Sequence, residues 1–201
     1  MESKAFIKKL YDEGIIMFGE FTLTSGLRSP YYIDLRKALS KPDLLREITN
    51  VFAEKIREIG NYDVIVGIET GSIPWAATVA YVLNKPMAYV RKKPKGHGAG
   101  KLIEGEIPEN AKAIVIDDVA TTGQSILRAA NALRSMNVKV EDALVFVDRE
   151  QGARELLERK DITLHTVFTV TQIVDELFNQ KLISRDVYLK IKSYIEGFKN
   201  V

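Results

Sequence analysis

The stretch AIVIDDVATTGQSILRAA, residues 113–130, changes character twice. An unbroken apolar run, Ala113 to Ile116, ends in two consecutive aspartates, Asp117 and Asp118. A turn of small residues, Val119, Ala120, Thr121, Thr122 and Gly123, then leads into a helix beginning near Gln124 or Ser125. A short apolar run bounded by turn signals reads as a strand buried on both faces, the hallmark of a parallel sheet covered by helices. In such sheets ligands sit outside the carboxyl ends of the strands. Backbone N–H groups of the turn, with the positive end of the helix dipole, make an anion site there. Thr121, Thr122 and Ser125 add hydroxyl donors.

The chemistry is therefore mixed, with acids at the strand end and a phosphate cradle directly after. Two carboxylates repel a bare phosphate. A sugar phosphate fits both halves, its hydroxyls on the acids and its phosphate on the turn. A single aspartate at a strand end would read better as a cap of the following turn. An Asp-Asp pair followed by Thr-Thr-Gly and a helix start favours the ligand. The segment is not a Walker A loop, whose G-x-x-x-x-G-K-[ST] pattern is absent.

Outward from this segment the chain alternates. DVIVGI (63–68) reads as a buried strand, IPWAATVAYVLN (73–84) as a helix and PMAYVR (86–91) as a strand. After residues 111–117 come a helix over 122–136, a strand over 141–148, a helix over 149–160, a strand over 162–170 and two short amphipathic helices. Alternating strands and helices with apolar strands predict a mostly parallel sheet flanked by helices, an α/β fold. Before it, a helix follows Ser3 with Phe6, Ile7 and Leu10 on one face, then come two short β-rich segments, GEFTLTSG (19–26) and SPYYIDLR (29–36). A long helix opens at KPDLL (41–45). Pro42 suits its first turn, Leu45, Ile48, Phe52 and Ile56 form its apolar stripe, and Gly60 ends it.

The bulk numbers fit one domain over residues 1–201, with 46% hydrophobic and 28% charged residues. The N-terminus mixes acids with lysines and lacks the apolar core of a secretion signal, and no apolar run is long enough for a bilayer. There is no cysteine, hence no disulfide and no thiolate nucleophile. A cytoplasmic protein without membrane partners is expected. Twenty-nine basic against 27 acidic residues give no global field for nucleic acid. Locally, Arg91, Lys92, Lys93, Lys95 and Lys101 stand in a stretch without acids. That excess suggests an anionic ligand of limited size, and the loop 92–104 is long enough to be a mobile lid.

VIDDVATTGQS (115–125) closely resembles the ribose-phosphate signature of the type I phosphoribosyltransferases. The resemblance implies that Asp117 and Asp118 contact the ribose hydroxyls of phosphoribosyl pyrophosphate (PRPP). The turn Val119 to Gly123, with Gln124 and Ser125, holds its 5′-phosphate. RKKPKGHGAG (91–100) resembles the catalytic loop of orotate phosphoribosyltransferases, matching Arg91, Lys92, Lys95 and His97 to pyrophosphate-binding positions. Lys95, His97, Asp117 and Asp118 then stand as the catalytic set, with His97 an orienting ligand first. GEFTLTSGLRSPYYIDLRKAL (19–39) resembles the family's base-recognition region in F-x-L-x-S-G, S-P-x-Y and D-x-R. Within this N-terminal hood, residues 1–40, Ser25, Gly26, Tyr31 and Tyr32 become candidates for orotate. VFVDREQGA (145–153) resembles the element whose arginine, here Arg149, meets the orotate carboxylate, and Thr121 falls near the same base. Many relatives carry a lysine where this chain has Thr24, and some carry one before the G-I-P of the second loop, where this chain has Gly71. Glu69, Thr70 and Gly71 still follow a buried strand and line the pyrophosphate side.

The resemblance implies transfer of phosphoribose to orotate, with Mg²⁺ held mainly by substrate oxygens and water rather than by a ligand cluster. It also implies a homodimer in which the basic loop reaches the neighbouring site. Positioning and charge stabilisation then do the work, without a protein nucleophile. His165, inside the strand 162–170, reads as a packed histidine without a role. A purine-salvage phosphoribosyltransferase shares the signature, but the F-x-L-x-S-G segment and Arg149 favour orotate. A non-catalytic regulator on the same fold would usually add a helix-turn-helix, for which residues 1–20 are too short.

Overall fold

The computed structural model describes residues 3–22, 26, 28–93 and 102–199. Helix α1 (Ser3–Asp12) precedes an antiparallel hairpin of β1 (Ile16–Thr22) and β2 (Arg28–Ile33). A 3₁₀ turn (Leu35–Ser40) leads to α2 (Pro42–Ile59), which has Pro42 in its first turn. Then follow β3 (Val64–Ile68), α3 (Ile73–Leu83), β4 (Met87–Val90), β5 (Ile103–Glu104), β6 (Lys112–Ala120), α4 (Gln124–Arg134) and β7 (Lys139–Asp148). The chain ends with α5 (Ala153–Glu158), β8 (Thr163–Thr169), α6 (Val170–Asn179) and α7 (Arg185–Lys199).

Six strands form one sheet in the order β5-β4-β3-β6-β7-β8, parallel except for the edge strand β5. Every residue of β3 is buried, as a strand covered on both faces requires. Alternate residues feed two cores. Ile65, Ile114, Ile116, Leu144 and Phe146 pack with α1, α2, α3, α6 and α7. Val64, Val66, Ala113, Val115 and Val145 pack with α4 and α5 on the other face. Phe6 of α1 lies edge-on to Phe146, 6.1 Å between ring centroids, which seats the N-terminal helix on the first core. Each such side chain contributes roughly 1.5–3 kcal/mol when fully buried, so these two layers carry the fold.

The connections after β3 and β6 run in opposite directions along the sheet. Through α3 the chain passes from β3 to β4, and through α4 from β6 to β7. β3 and β6 are themselves neighbours. Their carboxyl ends therefore flank a topological switch point, where open α/β sheets leave a crevice.

Several expected boundaries move. β6 runs on through the two aspartates to Ala120, because Val119 pairs with Val147 and Ala120 with Asp148 of β7. Val119 and Ala120 thus belong to the strand, and the turn shrinks to Thr121, Thr122 and Gly123. The helix expected over 149–160 is only α5, which starts after Gly152 in the left-handed region (φ 91°). The loop 92–104 ends in β5, which returns antiparallel against β4 with Tyr89 opposite Glu104. In α2 the first fully buried leucine is Leu44; Leu45 is only partly buried.

Candidate active site

The acid pair sits at the switch point with its two side chains on opposite faces of β6, as strand alternation demands. Asp117 faces α4, where Ser125 Oγ donates to its Oδ2 (3.3 Å). Asp118 faces the loop after β3, where a Cβ added at Gly71 would stand 2.8 Å from Asp118 Oδ2. Backbone donors hold both carboxylates: the Asp118 N–H reaches Asp117 Oδ1 (3.0 Å), and the Val119 N–H reaches Asp118 Oδ1 (2.9 Å). Burial, and after it the neighbouring Asp118 carboxylate, pushes Asp117 well above the usual carboxylate range. Asp118 is pushed up too, chiefly by burial, against the Val119 N–H and the Arg36 guanidinium, which favour its ionised form.

Directly after the pair, Gly123 takes a left-handed conformation (φ 75°) at the start of α4. A side chain there would press within 3.1 Å of the Ala153 carbonyl, so only glycine lets the turn pack against α5. No side chain caps α4. Its first N–H groups are thus left without intrahelical partners, beside partly exposed Thr121 and exposed Thr122 and Gln124. These free N–H groups lie a short turn beyond the two carboxylates, an arrangement that can hold an anion.

The loop after β3 closes the other side of the crevice. The Glu69–Thr70 peptide is cis. Ser72 is fully buried; its Oγ accepts from the Ile68 N–H (2.6 Å) and donates to the Ile68 carbonyl (3.0 Å), which fixes the loop's shape. Glu69 Oε2 accepts from the Lys92 N–H (2.8 Å), tying this loop to the start of the basic segment. Arg91 reaches Glu104 of the returning strand (Nη1 to Oε1, 3.5 Å). The exposed side chains of Lys92 and Lys93 stand beside it. Lys95 and His97 lie outside the described residues.

Two cations stand where the hood meets the sheet, one from each side. Arg149 starts the segment after β7, and its N–H donates to the Ala120 carbonyl (2.9 Å), which places it beside the acid-bearing strand. Its guanidinium is buried and crosses to the hairpin: Nε donates to Tyr31 Oη (3.3 Å) and Nη2 to Ser29 Oγ (3.0 Å), with Cζ 4.7 Å from the Tyr31 ring centroid. Tyr31 is 1% exposed and lies under Arg149 rather than facing the crevice. Tyr32 is half-buried, stacked on Phe21 (5.6 Å), and accepts from Arg36 Nη2 (3.3 Å). Gly26 is exposed in the left-handed region (φ 82°), and Ser25 lies outside the described residues.

Arg36, the last residue of the D-x-R motif, stands by the acid-bearing strand with nothing local in the sequence to signal it. Asp34 grips it through both oxygens (2.6 and 3.0 Å), which holds the Asp34 carboxyl below its usual range. Its charge in turn bears on Asp118. The D-x-R pattern was visible, but only the fold brings it to the strand end. Ser29, in S-P-x-Y, and Gln151, in VFVDREQGA, are likewise buried polar residues, and both meet the Arg149–Tyr31 pair. His165 lies at the opposite end of the sheet, where Nε2 is 2.8 Å from Asp142 Oδ1.

The phosphoribosyl transferase domain model matches residues 36–176, from Arg36 through the acid pair to α6. A curated orotate phosphoribosyltransferase from Sulfolobus acidocaldarius is 43% identical over 190 residues, covering 94% of this chain and 95% of its own length. The chain belongs to the orotate phosphoribosyltransferase family. A second relative of that name, from Staphylothermus marinus, is 43% identical over 96% of this chain and 95% of its own. The crystal structure of orotate phosphoribosyltransferase from Aeropyrum pernix superposes with a TM-score of 0.78 at 39% identity, covering 86% of this chain and 97% of that one. Leishmania donovani UMP synthase superposes with a TM-score of 0.87 at 28% identity over 98% of this chain, which spans only 43% of that longer protein. The family's fold, a mostly parallel sheet with an N-terminal helix and a small hairpin, is the one described above.

Proposed function

We propose that this protein transfers the 5-phosphoribosyl group of PRPP to orotate, giving orotidine 5′-monophosphate and pyrophosphate in UMP biosynthesis. The observation that carries the choice of base is Arg149. Its backbone N–H bonds the acid-bearing strand, and its buried guanidinium, held by two hydroxyls of the hairpin, suits a planar, carboxylated base better than a neutral purine.

In this reading Asp117 and Asp118 receive the ribose hydroxyls. Thr121, Thr122, Gly123, Gln124 and Ser125, helped by the backbone at Val119 and Ala120, cradle the 5′-phosphate. Glu69, Thr70 and Gly71 border the pyrophosphate. Arg91, Lys92, Lys95 and His97 balance the charge that grows on pyrophosphate as its bond to C1′ breaks. Orotate N1 attacks C1′ through a transition state with oxocarbenium character, and the enzyme's contribution is orientation and charge. Residues 1–40 form the base-recognition hood, with Thr121, Ser25, Gly26, Tyr31 and Tyr32 near the base; Tyr31, being buried, acts through Arg149. The loop 92–104 serves as the lid.

The donor set suits Mg²⁺ carried in by the substrate. Among the described residues no group of three acids or histidines could hold a metal ion. Asp117 and Asp118 point to opposite faces of β6, so the pair does not close on one cation and is left to hydroxyls and water. Bound Mg²⁺ would neutralise pyrophosphate charge from the substrate side. The protein works in the cytoplasm as a homodimer, the basic loop of one copy serving its neighbour; the family resemblance supports this assembly.

A base panel tests the proposal. Pyrophosphate release from PRPP should require orotate and fail with adenine, hypoxanthine and guanine. Release with a purine and none with orotate would replace this reading with purine salvage.

A further inference from the structure

Arg149 is unusual in what surrounds it. Its charge is buried at 6% exposure, yet both acceptors that hold it are hydroxyls. A buried cation without an acid partner is costly, and proteins usually pair one with a carboxylate. Among the described residues Arg149 makes no ion pair, and Nη1 makes no hydrogen bond.

The geometry explains how the two hydroxyls stay neutral. Ser29 Oγ donates its proton to the Tyr31 carbonyl (2.7 Å), so toward Arg149 Nη2 it can only accept. Tyr31 Oη accepts from Arg149 Nε and from Gln151 Nε2 (3.5 Å). Burial pushes its phenol up to about 12, so no phenolate forms near neutral pH. The ring is backed from the far side by Tyr194 of α7, edge-on at 5.9 Å. Pro30, between Ser29 and Tyr31, restricts the backbone that sets their spacing.

We propose that Ser29 is a positioning residue that sets base specificity: it orients the Arg149 guanidinium without neutralising it, so the charge is left for the carboxylate of the incoming base. An acid at position 29 would satisfy the guanidinium more fully and abolish the demand for an anionic base. The inference rests on the reading that Arg149 meets orotate.

The test compares Ser29→Ala, Ser29→Asp and Arg149→Ala in the intact enzyme, with orotate and with uracil, which lacks the carboxylate. Ser29→Ala should raise KM for orotate roughly tenfold, the loss of one hydrogen bond to a charged group. KM for PRPP should stay within about twofold in the same variant, a split that general loosening of the fold would not give. Ser29→Asp should raise KM for orotate on the order of a hundredfold or more and shrink the preference for orotate over uracil. An unchanged orotate preference in both Ser29 variants, with Arg149→Ala still impaired for orotate, overturns the role of Ser29 alone. An Arg149→Ala enzyme with normal orotate affinity overturns the base-site reading itself. If Ser29→Asp fails to fold, Ser29→Ala still decides: equal losses for orotate and PRPP contradict the proposal.

Discussion

Gly71 lies against Asp118 so closely that a methyl group in place of its hydrogen would stand 2.8 Å from the carboxylate oxygen Oδ2. Gly71 belongs to the loop after β3 and Asp118 to the carboxyl end of β6, and their contact sets the width of the crevice between those strands. The nearest atom is the end of a side chain, so Gly71→Ala should change stability by less than about 1 kcal/mol. The carboxylate must turn aside, however, and kcat/KM for PRPP should fall on the order of ten- to a hundredfold. Steady-state kinetics beside a thermal melt would check it. A large loss of stability with normal kinetics would mean that the contact serves packing alone.

The buried acid pair should make the protein less stable than it could be. Burial and mutual repulsion raise Asp117, so its neutral form fits the fold better than its ionised form. The sign follows from linkage: this contribution is fully present below the ordinary aspartate range and is lost as pH rises through the raised value. Asp117→Asn should therefore raise the melting temperature at pH 7, lose that advantage near pH 3, and lose most activity. Melting curves of both proteins across this range decide it. A variant less stable at pH 7 would show that the ionised carboxylate is held favourably after all.

Arg36 should tune the acid limb of the pH profile. Its charge favours ionised Asp118, and Asp34 holds it in place. Removing it leaves burial unopposed from that side. In Arg36→Ala the acid limb of kcat/KM should move to higher pH, with Arg36→Lys intermediate. A limb that does not move would separate Arg36 from the acid pair.

Tyr31 should titrate late. Its phenol, pushed up to about 12 by burial against the pull of Arg149, should appear as a late step in ultraviolet titration that Tyr31→Phe removes. The same substitution leaves Arg149 Nε and Gln151 Nε2 short of an acceptor and should cost roughly 1–3 kcal/mol in stability. Denaturant unfolding measures that cost. No loss would mean that water replaces the hydroxyl.

Much of this was legible because parallel strands announce themselves. Val64–Ile68 and Ala113–Ile116 are apolar without interruption, and only a doubly covered strand needs that. The Asp-Asp pair before Thr-Thr-Gly marked the carboxyl end of β6, at the switch point. What escaped the sequence was set by partners distant along the chain. The last residues of β6 look like a turn by composition, but ladder bonds to Val147 and Asp148 hold them in the strand. β5 is two residues long, too short for any periodicity. Arg36 and Ser29 sat inside recognised motifs with no role, since nothing local says that one bears on Asp118 and the other holds Arg149 from across the molecule.

The most direct measurement follows orotate's ultraviolet absorbance when the purified protein is mixed with orotate, Mg²⁺ and PRPP. The account predicts a loss that requires all three components and reverses on adding excess pyrophosphate. Unchanged absorbance, in a protein that calorimetry shows to bind PRPP, would contradict it.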